Sequence, residues 1–375
     1  MLNLELLKTT MSSLGLSQTA LADRCVVSRE AVSNWLSGES IPRPSKLKIL
    51  AEVLGLDVPS LFGNEQMLAE PVVAYRTQKN TAATDEAMEA ANELARHLRE
   101  LVPFVRGELL FTPPSLETPS VDEIYIRKVA QQTRMRIGLT PNAPLTREQL
   151  LDLHHSFGSI LVPVLWTGEK QGHENALSVY LPESKMSWVI FSLNARNDDF
   201  NYWLAHELAH CYSLHTLQGD DGELFAERFA QELLFPRDAA IEALDSIVNS
   251  QSPLEHAKFI ADAFDISVVT VIRQTDRLAL EVGRHPTGLE TSAFWEEWNA
   301  NRELVPTVAY SLFGPQSLDT SDYIENSEKA FKTPIFKALA KWQASEGGRS
   351  PSFIASALNI DLGQALELSH ALSKY

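Results

Sequence analysis

The stretch "WLAHELAHCYSLH", residues 203–215, sets His206 and His210 four positions apart around Glu207, in otherwise apolar surroundings. On a helix, positions i and i+4 share a face with Cβ atoms about 6 Å apart, so both imidazoles can reach one ion. Glu207 flanks that face and can take a proton from a water held there. This is the spacing that metal-dependent peptide hydrolysis uses. Leu204, Ala205, Leu208 and Ala209 are apolar, so the helix is predicted to be buried. Two buried imidazoles then need either an ion or two separate hydrogen-bond partners. Cys211 adjoins His210, but a helical neighbour is turned away by about 100°, which removes it from the ligand set.

A third ligand has to come from another element, leaving a fourth position open for water. The stretch "TLQGDDGELFAERFAQELLFP", residues 216–236, predicts a second helix with Phe225, Ala226, Phe229, Ala230, Leu233 and Leu234 inward and Pro236 as its stop. It carries Glu223 and Glu227, four apart and on one face, and the spacing leaves both open as ligand. An oxyanion would need a donor. Tyr202, Tyr212, His215 and Arg228 are the candidates, and the residues do not choose among them. The consecutive pair His154–His155 points to different faces and is not expected to share an ion.

The elements that must position these groups precede them. Helices are predicted near 121–136 and 147–157, then strands in "SILVPVLW", "ALSVYLP" and "SWVIFSLN". A sheet before the metal helix offers an edge that can hold an extended peptide by strand addition. The motif "AHELAH", the sheet, and the pattern "ExxAxxFAxxLLxP" resemble the ImmA/IrrE family of metallopeptidases over about residues 120–280. The resemblance implies a zincin-like fold and zinc as cofactor, with manganese or iron as alternatives for a His and Glu ligand set. It implies Glu223 as the third ligand, Glu207 as the catalytic base, and Glu227, where Asp or Asn is usual, as a carboxylate that orients a histidine. The implied substrate is a protein, of repressor type.

The first sixty residues are of another kind. In "LSQTALADRCVVSREAVSNWLSGESIP", Ser17 and Ser28 read as N-caps of two short helices. Ala20 and Leu21 point inward on the first and Val32, Trp35 and Leu36 on the second, which Gly38 ends. Two helices about a tight turn make a helix-turn-helix. Together with "LKILAEVLGL", the pattern resembles the lambda-repressor-like (XRE) family over about residues 3–62. The resemblance implies that Gln18 faces a phosphate and that Ser28, Arg29, Glu30, Ser33 and Asn34 face the major groove, with Arg29 suited to guanine and Asn34 to adenine. Val26 stands where that family usually has glycine. A β-branched residue at positive φ is costly, so an altered turn is expected.

Charge confines the nucleic-acid reading. The chain of 375 residues carries a net charge of −17, yet residues 1–64 hold six basic and six acidic residues. The excess, 26 basic against 43 acidic, lies in residues 65–375. A general nucleic-acid binder is basic, so DNA binding belongs to residues 1–64. The segment 254–283 predicts two helices about a turn, and without a basic excess they are expected to pack. No apolar run of 18 residues and no secretory signal appear, which predicts a cytoplasmic chain without a membrane partner. Cys25 and Cys211 read as reduced core thiols.

The expected fold class is mostly α with a small β-sheet (α+β). An all-α helix-turn-helix domain (1–64) is followed by a linker and amphipathic helix (65–119), a zincin-like metallopeptidase domain (120–284) and a helical C-terminal region (285–375). The helix stripe Met88, Ala91, Leu94, Ala95, Leu98 and Leu101 is expected to pack, with a homodimer seam as the other use. The expected function is a DNA-binding regulator with zinc-dependent endopeptidase activity, cleaving a repressor or its own linker in stress response or mobile-element control. The alternatives are a transcription regulator whose metal site is structural or sensory, and an antitoxin-like protein acting through contacts.

Overall fold

The fold is described from a computed structural model covering residues 2–38, 40–42, 44–56, 58, 61, 71–74, 85–105, 115–165, 176–314, 319–345 and 350–374. It divides into two units, Met1–Glu70 and Pro71–Tyr375. As expected, it is mostly helical with one small sheet. Among the described residues, no helix is long and apolar enough to cross a membrane.

Among its described residues the first unit has four α-helices: α1 (Leu4–Ser13), α2 (Gln18–Cys25), α3 (Arg29–Ser37) and α4 (Pro44–Leu54). Ser17 Oγ accepts from Ala20 N and Ser28 Oγ from Ala31 N, each at 3.1 Å, so both predicted caps are in place. Val32, Trp35 and Leu36 are buried on α3. On α2 the inward set is Leu21, Ala22 and Cys25, with Ala20 only half-buried. The expectation of an altered turn fails. Val26 adopts the left-handed conformation that glycine would take, φ 53° and ψ 56°. Lys46 of α4 donates to the carbonyls of Cys25 and Val26, both at 3.0 Å, and so holds the turn from outside.

The second unit begins with β1 (Val72–Ala74) and α5 (Asp85–Val105). There follow α6 (Glu123–Arg136), α7 (Arg147–Ser156), β2 (Ile160–Val164), β3 (Ala176–Leu181), β4 (Met186–Ser192), α8 (Asn197–Ser213) and α9 (Gly219–Leu234). The remaining helices are α10 (Arg237–Val248), α11 (Pro253–Phe264), α12 (Val268–Glu281), α13 (Ser292–Asn301), α14 (Val308–Phe313), α15 (Thr320–Phe331), α16 (Ile335–Ala344), α17 (Pro351–Leu358) and α18 (Leu362–Leu372). The sheet order is β1-β3-β4-β2, with β2 parallel to β4 and the other pairs antiparallel. Leu94, Ala95, Leu98 and Leu101 of α5 are buried in the core, where α5 packs on α16 and α17. That described part of the stripe is therefore not available to a second copy. The side chains of Met88 and Ala91 lie outside the described residues.

The helices of residues 285–375 share this core. This region also closes the outer edge of β2: Thr333, in the turn after α15, donates to the Leu161 carbonyl, Tyr323 of α15 to Pro163 and Gln364 of α18 to Leu165. The three acceptors alternate along the strand, as carbonyls on one edge must. Pro163 is tolerated here because an edge strand can spare its N–H.

Candidate metal centre

Three anchors set α8, the helix of His206 and His210. Arg147 of α7 donates to Asn201 Oδ1 and Asn197 Oδ1, both at 2.8 Å, fixing its first turns. Asn201 in turn donates to Asp265 after α11. The third anchor, His154, is fully buried and reaches the Leu204 carbonyl with Nε2 at 2.8 Å and Ser159 Oγ with Nδ1 at 2.9 Å. Burial pushes its pKa down to about 4. Its neighbour His155 is exposed, as two faces require.

The second helix, α9, is locked by charge. Arg134, itself buried, donates to the Leu233 carbonyl in the last turn of α9 at 2.6 Å, where a cation offsets the helix dipole. Glu232, also buried, pairs with Arg277 at 3.0 Å, and Arg277 reaches Glu123 at 3.0 Å. At the other end Gly222 lets the chain turn tightly: a Cβ there would stand 2.9 Å from the Leu217 carbonyl. The residue after it is Glu223.

These two helices bring the three candidate ligands together. His206 Nε2 and His210 Nε2 lie 3.2 Å apart, and Glu223 Oε2 and Oε1 stand 3.3 Å from them respectively. Zinc bonds of about 2.0–2.1 Å put ligand atoms about 3.3–3.4 Å apart on a tetrahedron. The donor set thus has the size and chemistry of a zinc site. Hydrogen bonding satisfies it less well. If both imidazoles donate from Nε2 to the carboxylate, the two hydrogens face each other across 3.2 Å. Of the two glutamates it is Glu223 that joins His206 and His210 in a cluster able to hold an ion.

The three groups also attract one another electrostatically. Burial would push His210 down, but the bond to Glu223 and the charges of Glu207 and Glu223 outweigh it and raise its pKa. Burial would raise Glu223. Its bonds to His206 and His210, and their charges, instead hold it well below the usual carboxylate range.

Glu207 is buried beside the ligands, and its Oε2 accepts from Ser178 Oγ of β3 at 2.5 Å. Sequence reasoning missed Ser178. Its only signal was a serine in the apolar run "ALSVYL". Glu227 departs from its expected role: its Oε1 accepts from Gln231 at 3.4 Å, and neither histidine Nδ1 has a partner among the described residues. One turn further along α9, the side chain stays with its own helix.

The oxyanion candidates separate. Tyr212 points into the core against Thr133 Oγ1 at 3.0 Å, and burial raises its pKa. Arg228 is engaged by Glu123 and Gln231. Tyr202 stays near the ligands, its ring 6.4 Å from that of His206. His215 lies against Tyr180 of β3 at 5.9 Å. Cys211 is buried, with its thiol pushed up to about 12 by burial, and takes no part in the cluster.

In the first unit Ser28, Arg29, Glu30 and Ser33 are exposed, while Gln18 and Asn34 are half-buried. Gln18 and Ser33 line one shallow concavity between α1, α2 and α3. Ser28 already spends its hydroxyl on the cap of α3.

Residues 7–61 match the family model described as helix-turn-helix. The N-terminal unit is a helix-turn-helix domain of the XRE type. A comparison with curated proteins found no match. Among solved structures the chain is similar to ComR from S. thermophilus, described in complex with DNA and its signalling peptide ComS. The identity is 14% over 96% of this chain and 98% of that one, with a TM-score of 0.15, at which the likeness carries no argument.

Proposed function

We propose that the chain is a DNA-binding transcription regulator with a zinc-dependent endopeptidase of ImmA/IrrE type in its second unit, acting on a repressor-type protein. The helix-turn-helix match supports the first half. The observation that carries the second is the convergence of His206, His210 and Glu223 within 3.3 Å, with Glu207 held beside them by Ser178.

A zinc ion on those three ligands would supply Lewis acidity at an open fourth position. Glu207 does the proton work. Ser178 holds its Oε2, which leaves Oε1 to take a proton from the attacking water and return it to the leaving amine. Burial of Glu207 keeps bulk water from competing for that proton.

The test is metal content by mass spectrometry with hydrolysis of a co-purified repressor. Wild type is expected to hold about one zinc per chain, and His210→Ala none. Glu207→Gln is expected to keep the metal and lose cleavage at least ~100-fold. Wild-type protein without metal, or equal cleavage by Glu207→Gln, refutes the peptidase reading.

A further inference from the structure

The two edges of the sheet are closed by different means. Side chains of α15, α18 and the turn between α15 and α16 cap the carbonyls along β2 and just past its end. The β3 edge is instead closed by main chain, in the form of β1. This strand is part of the site. Its residue Ser178 holds Glu207, and Tyr180 lies against His215.

β1 runs antiparallel to β3 with Val72 opposite Tyr180, Val73 opposite Val179 and Ala74 opposite Ser178. Cross-strand partners share a face of the sheet. Val72 and Ala74 therefore lie on the face of the metal centre, and Val73 on the other. β1 also touches α9, the helix that supplies Glu223. Ala74, opposite the serine that holds the base, is buried.

A sheet edge accepts one strand at a time. A peptide binding by strand addition needs the main-chain groups of β3 that β1 occupies. β1 has only three residues, and Val72 and Val73 are half-buried. A strand so short adds few hydrogen bonds and belongs to the part of a fold that opens locally.

We propose that the β3 edge is the peptide-binding edge of this site, and that β1 is a resident strand holding it against incoming peptides. The peptides it fits are extended segments of the Val-Val-Ala kind: a small residue opposite Ser178 and a β-branched residue opposite Tyr180. That such a peptide is a substrate rests on the peptidase reading above. The strand exchange does not.

The experiment uses the zinc-loaded full chain, the Val73→Pro variant, and a fluorescein-labelled peptide Glu-Pro-Val-Val-Ala-Tyr-Arg, read by fluorescence anisotropy. Proline fixes φ at about −65°, away from the antiparallel value of about −140°, and so weakens β1. The variant is expected to bind the peptide at least tenfold more tightly than wild type and more tightly than it binds a scrambled peptide. Equal binding by both proteins, no binding by either, or equal binding of the scrambled peptide overturns the proposal. If Val73→Pro does not fold, hydrogen exchange on wild type decides. The β3 amides facing β1 are expected to exchange at least tenfold faster than those facing β4, and equal protection overturns the proposal. Neither readout involves turnover, so cleavage that survives Glu207→Gln would sink the peptidase reading and leave the strand result standing.

Discussion

His154 makes α8, the helix of His206 and His210, sensitive to acid. The imidazole is fully buried, with Nε2 on the Leu204 carbonyl two residues before His206. Its folded pKa is lowered to about 4 from an ordinary value of 6.5. The unfolded chain therefore binds the extra proton first as pH falls. Stability from this group is complete above about pH 6.5 and is lost as pH falls toward 4. The linkage gives a loss of about 2 kcal/mol at pH 5 and about 3 kcal/mol at pH 4. The perturbation is His154→Gln, which keeps an N–H for Leu204 and cannot titrate. Urea unfolding, followed by tryptophan fluorescence with chelator present, compares both proteins at pH 8 and pH 5. The variant is expected to be less stable at pH 8 but to lose about 2 kcal/mol less between the two pH values. Chelator and subtraction remove the contribution of His206 and His210. Parallel pH dependence in the two proteins would show that the histidine is buried in either protonation state, and the reasoning fails.

Two further changes follow from local geometry. Val26→Gly is expected to stabilise the first unit by about 1 kcal/mol, because a β-branched residue at φ 53° carries strain that glycine lacks. Thermal unfolding of residues 1–70 within the full chain measures it, and an unchanged or lower midpoint refutes it. Ser178→Ala is expected to lower kcat by roughly 10- to 100-fold with KM unchanged, since a hydrogen bond to a charged group contributes about 1.5–3 kcal/mol. A change confined to KM would place the serine in peptide binding instead.

The local parts of the site were legible because they depend on helix period alone. His206 and His210 share a face by spacing with Glu207 flanking it, and Ser17, Ser28 and Gly38 mark helix ends by chemistry. Glu223 and Glu227 were equivalent by period. Only the packing of α9 on α8, set by Arg134, Glu232 and Gly222, distinguishes them, and such tertiary contacts leave no local trace. Val26 misled because the strain is real: the fold holds the turn with Lys46, twenty residues away. β1 was hidden in a stretch read as linker. Three residues cannot establish a period of two, although "PVVA" carries the β-branched pair that a strand favours.

The capping of β2 bears on what the last ninety residues are. Thr333, Tyr323 and Gln364 spend their donors on carbonyls that would otherwise form an open template for another chain. Cutting after residue 284 would not release a smaller stable unit. It would uncover a β-branched, uncharged strand and invite self-association. The tail is thus a condition of solubility for the sheet beneath it, and any shortened descendant of this chain must bring its own cover for that strand.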